Sequence, residues 1–145
     1  MEERLEVGKK GGYYILLADD DPDDRAFIHD AFVKNNYKSN CVLIEDGNKL
    51  MEYLHASKAV DYPSLILLDL NMPGKDGRQV LKEIKTNGNF IGIPTIIFST
   101  SSHERDIQIS YALGANCFIT KPSSFQKLVD ITYCITRLWF PQSVA

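Results

Sequence analysis

The chain has 145 residues, of which 44% are hydrophobic and 24% charged, and its formal net charge at pH 7 is −3. This length and composition are those of one ordinary globular domain. The slightly negative charge argues against a nucleic-acid-binding surface, which is usually basic. No apolar run approaches the ~20 residues of a membrane-spanning helix, and residues 1–12 lack the apolar core of a signal peptide. We therefore expect a cytoplasmic domain without a DNA or membrane partner.

Neither the cysteines nor the histidines indicate a metal or redox site. The cysteines are far apart and contain no CxxC pair: Cys41, Cys117 and Cys134. Cys41 and Cys117 lie in apolar segments, which predicts buried free thiols. The histidines fall within or beside helical segments and lack metal-ligand spacing: His29, His55 and His103. We expect these histidines at the surface or at helix ends.

The first element is the apolar run Tyr13–Ala18, which predicts a buried strand. It is followed by Asp19-Asp20-Asp21-Pro22, and an aspartate before a proline is a common start of a helix. Asp23 and Asp24 suit the positive end of a helix dipole, and we assign both to that capping role. The helix is expected over residues 22–35, with a buried stripe at a spacing of four residues: Phe27, Ala31, Ile28 and Phe32.

The middle of the chain repeats this order of strand and helix. The run Asn40–Glu45 predicts a second strand, and Asp46-Gly47 opens a second helix. The run Leu65–Asp69 predicts a third strand, which ends on a carboxylate. A third helix is expected from about Asp76 to a stop at residues 87–89. The inward residues of these two helices are predicted to be Leu50, Met51, Leu54, Val80, Leu81 and Ile84.

The last part of the chain supplies two more strands and two more helices. Ile93–Ser99 and Asn116–Thr120 predict the strands, with Pro94 tolerated at a strand start. The helix between them closes at Gly114, and a final helix is expected over residues 123–139. The fourth helix should hold Ile107, Tyr111 and Leu113. Five alternations without a hairpin signal predict an α/β fold: a doubly wound, five-stranded parallel sheet with five helices.

Polar residues with useful chemistry follow four of the five predicted strands. Asp19 and Asp20 follow the first, Asp69 ends the third, Ser99 ends the fourth and Lys121 follows the fifth. The carboxyl ends of parallel strands share one edge of the sheet, where ligands bind. Three clustered carboxylates repel each other unless a cation joins them, and hard oxygen ligands suit Mg²⁺. A lysine and a hydroxyl suit phosphoryl oxygens, so the pattern predicts phosphoryl transfer to a carboxylate. The alternative is an acidic helix cap beside a solvated lysine.

Five motifs occur in a fixed order along the chain. They are Ile15–Pro22 (ILLADDDP), Leu67–Gly74 (LLDLNMPG), Asp76-Gly77, Ile93–Ser99 (IPTIIFS) and Gly114–Pro122 (GANCFITKP). On these motifs the chain resembles the receiver domain of a two-component response regulator, with its flavodoxin-like topology. The resemblance covers residues 13–139. We expect a receiver domain over 13–140, flexible tails at 1–12 and 141–145, and no output domain.

The resemblance implies a role for each matching site residue. Asp69 would be the phosphoacceptor, and Lys121 would pair with the phosphoryl group. Asp20 would bind Mg²⁺ directly and Asp19 mostly through water, with Asp69 and the backbone carbonyl of Asn71 as further ligands. Mn²⁺ would substitute for Mg²⁺. The family also implies a cis peptide bond between Lys121 and the proline that follows it.

Two positions match the family's conformational switch. Ser99 stands where a Thr or Ser moves toward the phosphoryl oxygen, and Phe118 stands where an aromatic ring follows that movement. Phe118 lacks the hydroxyl of the commoner Tyr, so packing alone would select its outward state. The protein would be a phosphoacceptor signalling protein that catalyses only its own Mg²⁺-dependent phosphotransfer and dephosphorylation.

The family also implies partners. A sensor histidine kinase or a phosphotransfer protein would donate the phosphoryl group. The chain is similar to small stand-alone regulators paired with bacterial phytochrome kinases, on residues 46–54, residues 110–116 and the aromatic end 138–140.

The last helix has one core stripe: Phe125, Leu128, Val129, Thr132 and Ile135. A further apolar set indicates either a wide core face or a homodimer through helix 4, strand 5 and helix 5: Ile131, Leu138, Trp139 and Phe140. Tyr111 and Trp139 would anchor that dimer.

Three other functions fit parts of the pattern. An aspartyl-phosphate phosphohydrolase commonly needs a carboxylate two residues after its nucleophile, and here that residue is Asn71. A flavodoxin-like cofactor binder needs a phosphate-cradling first loop, whereas Asp19-Asp20-Asp21 would repel phosphate. A degenerate receiver would lack site residues, whereas all those expected are present.

Overall fold

A computed structural model describes residues 13–35 and 41–140 of the chain. The predicted tails at 1–12 and 141–145, and Asn40 in the second predicted strand, lie outside the described residues. The strands are β1 (Ile15–Ala18), β2 (Cys41–Ile44), β3 (Leu65–Leu68), β4 (Thr95–Ser99) and β5 (Cys117–Thr120). The helices are α1 (Pro22–Lys34), α2 (Gly47–Ala56), α3 (Gly77–Thr86), α4 (Glu104–Ala112) and α5 (Phe125–Trp139), with a 3₁₀ turn at Ala59–Asp61. The five predicted strands and five predicted helices are confirmed.

The strands form one parallel sheet in the order β2-β1-β3-β4-β5. Successive residues of a strand point to opposite faces, so the sheet divides the core in two. Ile15 and Leu17 of β1 pack with the buried residues of α1 and α5. Leu16 and Ala18 pack with those of α2 and α3 on the other face. The doubly wound architecture is therefore confirmed.

Aspartate and serine side chains fix the starts of four helices. Asp21 accepts hydrogen bonds from the backbone of the first turn of α1, as predicted. Asp46 and Asp76 cap α2 and α3 in the same way. Ser124 accepts from the backbone N of Lys127, which makes it the N-cap of α5. Helix α5 therefore begins at Phe125, two residues after the approximate start predicted at Ser123, because Ser124 has extended backbone angles.

Proline sets the start of β4. Pro94 has no N–H to donate to a neighbouring strand, and the strand begins at Thr95 rather than at Ile93. The carbonyl of Pro94 still accepts from the backbone N of Ile66 at 2.9 Å. The chain is therefore already aligned with β3 before regular pairing begins.

The burial of two groups of side chains was predicted wrongly. Phe27 is 40% exposed and its ring contacts Phe125, whereas its neighbour Ile28 is buried. Adjacent helix residues lie about 100° apart, so only one of the two can face the sheet. Cys41 and Cys117 are free but only half-buried. Both begin edge strands, where the sheet covers a side chain on one flank only.

The C-terminal end of helix α5 has both buried and exposed apolar side chains. Phe140, placed in the extra apolar set, is buried, and its ring stacks on Tyr13 at 5.4 Å. Leu138, in contrast, is 78% exposed, and Tyr133 is half exposed. The aromatic end is thus packed at Phe140, while an apolar surface remains on the outer side of α5. Within the described ranges, no helix is long and apolar enough to cross a membrane.

Candidate functional site

The carboxyl edge of the sheet brings the predicted site residues together through backbone hydrogen bonds. Asp19 follows β1, and its backbone N donates to the carbonyl of Ile44 at 3.1 Å. Asp69 follows β3 and donates to Ala18 at 3.0 Å, and Lys121 follows β5 and donates to Ser99 at 2.7 Å. Each of these residues thus adds one backbone hydrogen bond at the end of the sheet. Its side chain leaves the edge in a direction that the sheet fixes.

Three carboxylates meet at this edge. Asp19 is 1% exposed and Asp69 7%, while Asp20 is open to solvent. Each offers one oxygen, and these oxygens lie within 4.8 Å of one another. Oδ1 of Asp19 accepts from the backbone N of Asp21 at 3.0 Å, and Oδ1 of Asp69 from the backbone N of Asn71 at 3.4 Å. A set of hard oxygen donors at this spacing fits a small divalent cation such as Mg²⁺ or Mn²⁺.

Lys121 lies between these carboxylates and helix α1. Its Nζ is 2.6 Å from Oδ2 of Asp19, 2.9 Å from Oδ2 of Asp24 and 3.6 Å from Oδ2 of Asp69. The lysine side chain is only 10% exposed. The alternative of a solvated turn lysine is therefore wrong, since its ammonium is bound on three sides by carboxylates.

Burial and charge shift the ionisation of the group. Burial raises the pKa of Asp69 to about 6, and the charges of Asp19 and Asp20 act in the same direction, against the attraction of Lys121. Burial also raises the pKa of Asp19, although the hydrogen bond from Lys121 opposes it. Burial acts to lower the pKa of Lys121, but hydrogen bonds to Asp19 and Asp24 outweigh it and hold this pKa above the usual value. The carboxylates are crowded, and positive charge in the site relieves them.

Comparison with known proteins identifies the family of this chain. The response regulator receiver domain model matches residues 15–133. The chain belongs to the response regulator receiver family. Response regulator Rcp1 of Synechocystis sp. is 34% identical to this receiver over 128 residues, which cover 86% of this chain and 87% of Rcp1.

Two solved structures resemble this receiver closely. One is the phosphorylated cyanobacterial phytochrome response regulator RcpA, with a TM-score of 0.81 and 37% identity over 92% of this chain and 97% of RcpA. The other is the Mn²⁺-bound form of Rcp1, with a TM-score of 0.78 and 32% identity over 91% of this chain and 97% of that one. The receiver is therefore similar to small phytochrome-associated response regulators, as the sequence predicts.

Ser99, one of the two predicted switch residues, is wholly buried at the end of β4. Its Oγ accepts from the backbone N of Ser101 at 3.2 Å. Oγ of Ser101 donates to Asp106 of α4 at 2.6 Å, and Arg78 of α3 donates to the same carboxylate at 2.7 Å. The loop after β4 is thus tied to two helices in this conformation of the receiver.

Phe118, the other predicted switch residue, is half-buried and packs against the core on the α2 and α3 face. Its backbone N points away from β4 and donates to the phenol oxygen of Tyr111 at 3.0 Å. Tyr111 is 47% exposed on α4. A side chain of α4 therefore satisfies a donor of the edge strand β5.

The predicted cis bond is wrong: the described part of the receiver contains no cis peptide bond, and Lys121–Pro122 is trans. A bond before proline favours trans by only ~0.5–1 kcal/mol, so family resemblance does not fix its isomer. The lysine side chain reaches Asp19 from the trans bond.

Sequence reasoning missed two residues of the site. Asp24 was assigned to helix capping, yet its carboxylate accepts from Lys121. Arg25 was not considered, and its Nη1 donates to the backbone carbonyl of Asp19 at 2.7 Å. Their position in the sequence, only a few residues after the end of β1, could have indicated that they lie near the site. A helix that starts at Pro22 places its first turn directly over the carboxyl edge of β1.

Proposed function

We propose that this receiver is a single-domain response regulator that accepts a phosphoryl group on Asp69 in the presence of Mg²⁺. A sensor histidine kinase or a phosphotransfer protein donates the group in the cytoplasm. The signal passes to partners through the surface of α4, β5 and α5. One observation carries the proposal: Nζ of Lys121 lies 3.6 Å from Oδ2 of Asp69, inside a group of three carboxylates.

Asp19, Asp20 and Asp69 would hold Mg²⁺ with their carboxylates, and Asn71 with its backbone carbonyl. The bound ion supplies positive charge for the crowded carboxylates and for the phosphoryl oxygens. Mn²⁺ would substitute for Mg²⁺, since the similar Rcp1 has been solved in a Mn²⁺-bound form. The donor set supports this proposal because all of its members are oxygen atoms.

In the transfer step, a carboxylate oxygen of Asp69 attacks the phosphorus of a phosphohistidine. A phosphorus–oxygen bond forms as the phosphorus–nitrogen bond breaks, and the histidine nitrogen keeps the electron pair. Lys121 stabilises the charge on the phosphoryl oxygens. The backbone N of Asn71, which already donates to Asp69, helps to hold the attacked carboxylate in place.

The switch follows from the hydrogen bonds of Ser99. Its hydroxyl can donate to a phosphoryl oxygen on Asp69, and that movement would disturb its bond with Ser101. The Phe118 ring would then repack at the surface of α4, β5 and α5, while Tyr111 holds the β5 backbone to α4. The exposed residues Tyr111 and Leu138, together with the half-buried Trp139, give the outer surface apolar area for a partner or a second copy of the chain.

The protein acts on no separate substrate in this proposal. The phosphohydrolase alternative lacks support because Asn71 offers an amide where such enzymes commonly carry a second acid. The flavodoxin-like alternative lacks support because the first loop carries carboxylates that would repel a phosphate.

Mass spectrometry of the intact protein tests the proposal. Incubation with Mg²⁺ and acetyl phosphate should add one phosphoryl group, and EDTA should prevent the addition. Asp69→Asn should remain unmodified, while Asp23→Asn should be modified like the wild type, because Asp23 is exposed. No adduct on the wild-type protein, or an adduct that persists in Asp69→Asn, contradicts the proposal. Turnover of p-nitrophenyl phosphate would favour the phosphohydrolase instead.

A further inference from the structure

The ammonium of Lys121 is shared between two carboxylates with different surroundings. Asp19 is almost wholly buried and belongs to the three-carboxylate group. The side chain of Asp24 is 38% exposed, lies on α1 and is outside that group. The two hydrogen bonds of Lys121 are nearly equal in length, at 2.6 Å and 2.9 Å. One positive charge therefore bridges the candidate metal ligands and a helix that contributes none of them.

A cation among the three carboxylates would compete with Lys121 for Asp19. Two positive charges a few ångströms apart repel each other, and the repulsion is stronger in a buried site than in water. Without a partner outside the three-carboxylate group, Lys121 would have to leave for solvent or weaken the cation's hold on that group. Both outcomes conflict with a reaction that uses the metal and the lysine together.

Asp24 offers a partner outside that group. The backbone N of Asp24 donates to the cap residue Asp21 at 3.3 Å, so the first turn of α1 fixes its position. A pocket of ≈ 350 Å³ adjoins the pair, with Phe27 and Thr100 also in its wall. Lys121 can therefore shift toward Asp24 without displacing a packed side chain.

We propose that Asp24 is a positioning residue that keeps the Lys121 ammonium in the site when a divalent cation binds Asp19. The inference rests on the proposed function in taking that cation to be Mg²⁺. Asp24 touches neither the cation nor the phosphoryl group. Its contribution is to balance the lysine charge from the side opposite the metal.

Titration calorimetry with MgCl₂ tests this role without any phosphorylation. Asp24→Asn should weaken Mg²⁺ binding about fivefold, since a partly exposed ion pair contributes up to ~1 kcal/mol. Asp23→Asn removes the same charge from the next residue, whose exposed carboxylate makes no ion pair with the described residues. Screening by solvent should limit its effect to less than about twofold. Asp24→Glu should restore most of the affinity, which also covers the case in which Asp24→Asn fails to fold.

A double-mutant cycle then separates a role through Lys121 from a general charge effect. In a Lys121→Ala background, Asp24→Asn should change Mg²⁺ affinity no more than Asp23→Asn does. Equal effects of Asp24→Asn and Asp23→Asn in the wild-type background would overturn the inference, as would an undiminished effect of Asp24→Asn without Lys121. Failure of the wild-type protein to bind Mg²⁺ would overturn the proposed function itself, and this inference with it.

Discussion

Replacing Asp69 with asparagine is expected to stabilise the metal-free protein at neutral pH. Asp69 is 7% exposed, and burial raises its pKa from 3.8 to about 6. The nearby charges of Asp19 and Asp20 act in the same direction, and Lys121 opposes them only in part. Folding therefore disfavours the ionised form of this carboxylate. An asparagine of the same shape carries no charge and avoids that cost.

The magnitude follows from the pKa change. One pKa unit corresponds to about 1.4 kcal/mol, so the rise from 3.8 to about 6 costs the folded state about 3 kcal/mol once Asp69 is ionised. The folded state binds the Asp69 proton more tightly than the unfolded state, so stability falls as pH rises between these two values. The cost is absent below pH 3.8 and complete above pH ~6.

Urea denaturation in EDTA at pH 7.5 and pH 4 measures this cost. Asp69→Asn should raise the free energy of unfolding by about 2–3 kcal/mol at pH 7.5, and by only about 0.5 kcal/mol at pH 4. Asp23→Asn should change it by less than about 0.5 kcal/mol at either pH, as is usual at an exposed site. Added Mg²⁺ should stabilise the wild type more than Asp69→Asn, because a ligand stabilises the state that binds it.

Two results would refute this reasoning. If Asp69→Asn were no more stable than the wild type at pH 7.5, the carboxylate would not be strained by its surroundings. If the gain were the same at pH 4 and pH 7.5, it would come from packing or from the unfolded state rather than from ionisation.

Two further predictions concern the loops around the site. Gly77→Ala should destabilise the protein by more than ~2 kcal/mol in urea and slow phosphoryl uptake, because the new Cβ would lie 2.2 Å from the carbonyl oxygen of Asp69. Gly88→Ala, which has open space around it, should change stability by less than about 1 kcal/mol and serves as the matched control. Ser101→Ala should raise the pKa of Asp106 in an NMR titration, because the Ser101 hydroxyl is the main cause of its lowered pKa. An unchanged Asp106 titration would show that the hydroxyl contributes nothing.

The sheet could be predicted from the pattern of apolar residues. The proximity of the site residues could be predicted because it follows from the parallel order of the strands. Wholly apolar runs such as Leu65–Leu68 are the pattern of strands buried on both faces. Parallel strands end on the same edge, so residues far apart in the chain must meet there. Asp19 and Lys121 are 102 positions apart and form a hydrogen bond of 2.6 Å. That contact follows from topology without knowledge of any side-chain angle.

What could not be predicted depends on side-chain direction within one turn of helix. Phe27 and Ile28 are both apolar, and only the packing of α5 decides which one faces the sheet. Asp23 and Asp24 both suit a helix N-terminus, yet only Asp24 turns toward Lys121. The isomer of the bond before Pro122 depends on an energy difference of ~0.5–1 kcal/mol, which a sequence motif does not encode.

Phe118 lacks the hydroxyl of the Tyr that is commoner at this position, and the structure shows another hydroxyl nearby. The sequence predicts that packing alone selects the outward state of the Phe118 ring. In the structure, a hydroxyl is still present at β5, but Tyr111 supplies it from α4 and it binds the backbone of Phe118 rather than its ring. The ring can repack without breaking this bond, whereas a shift of the β5 backbone relative to α4 breaks it. Movement of the Phe118 ring therefore breaks no hydrogen bond, whereas a shift of the β5 backbone loses one. A signal that crosses this receiver should accordingly appear as a ring reorientation against a fixed α4–β5 edge.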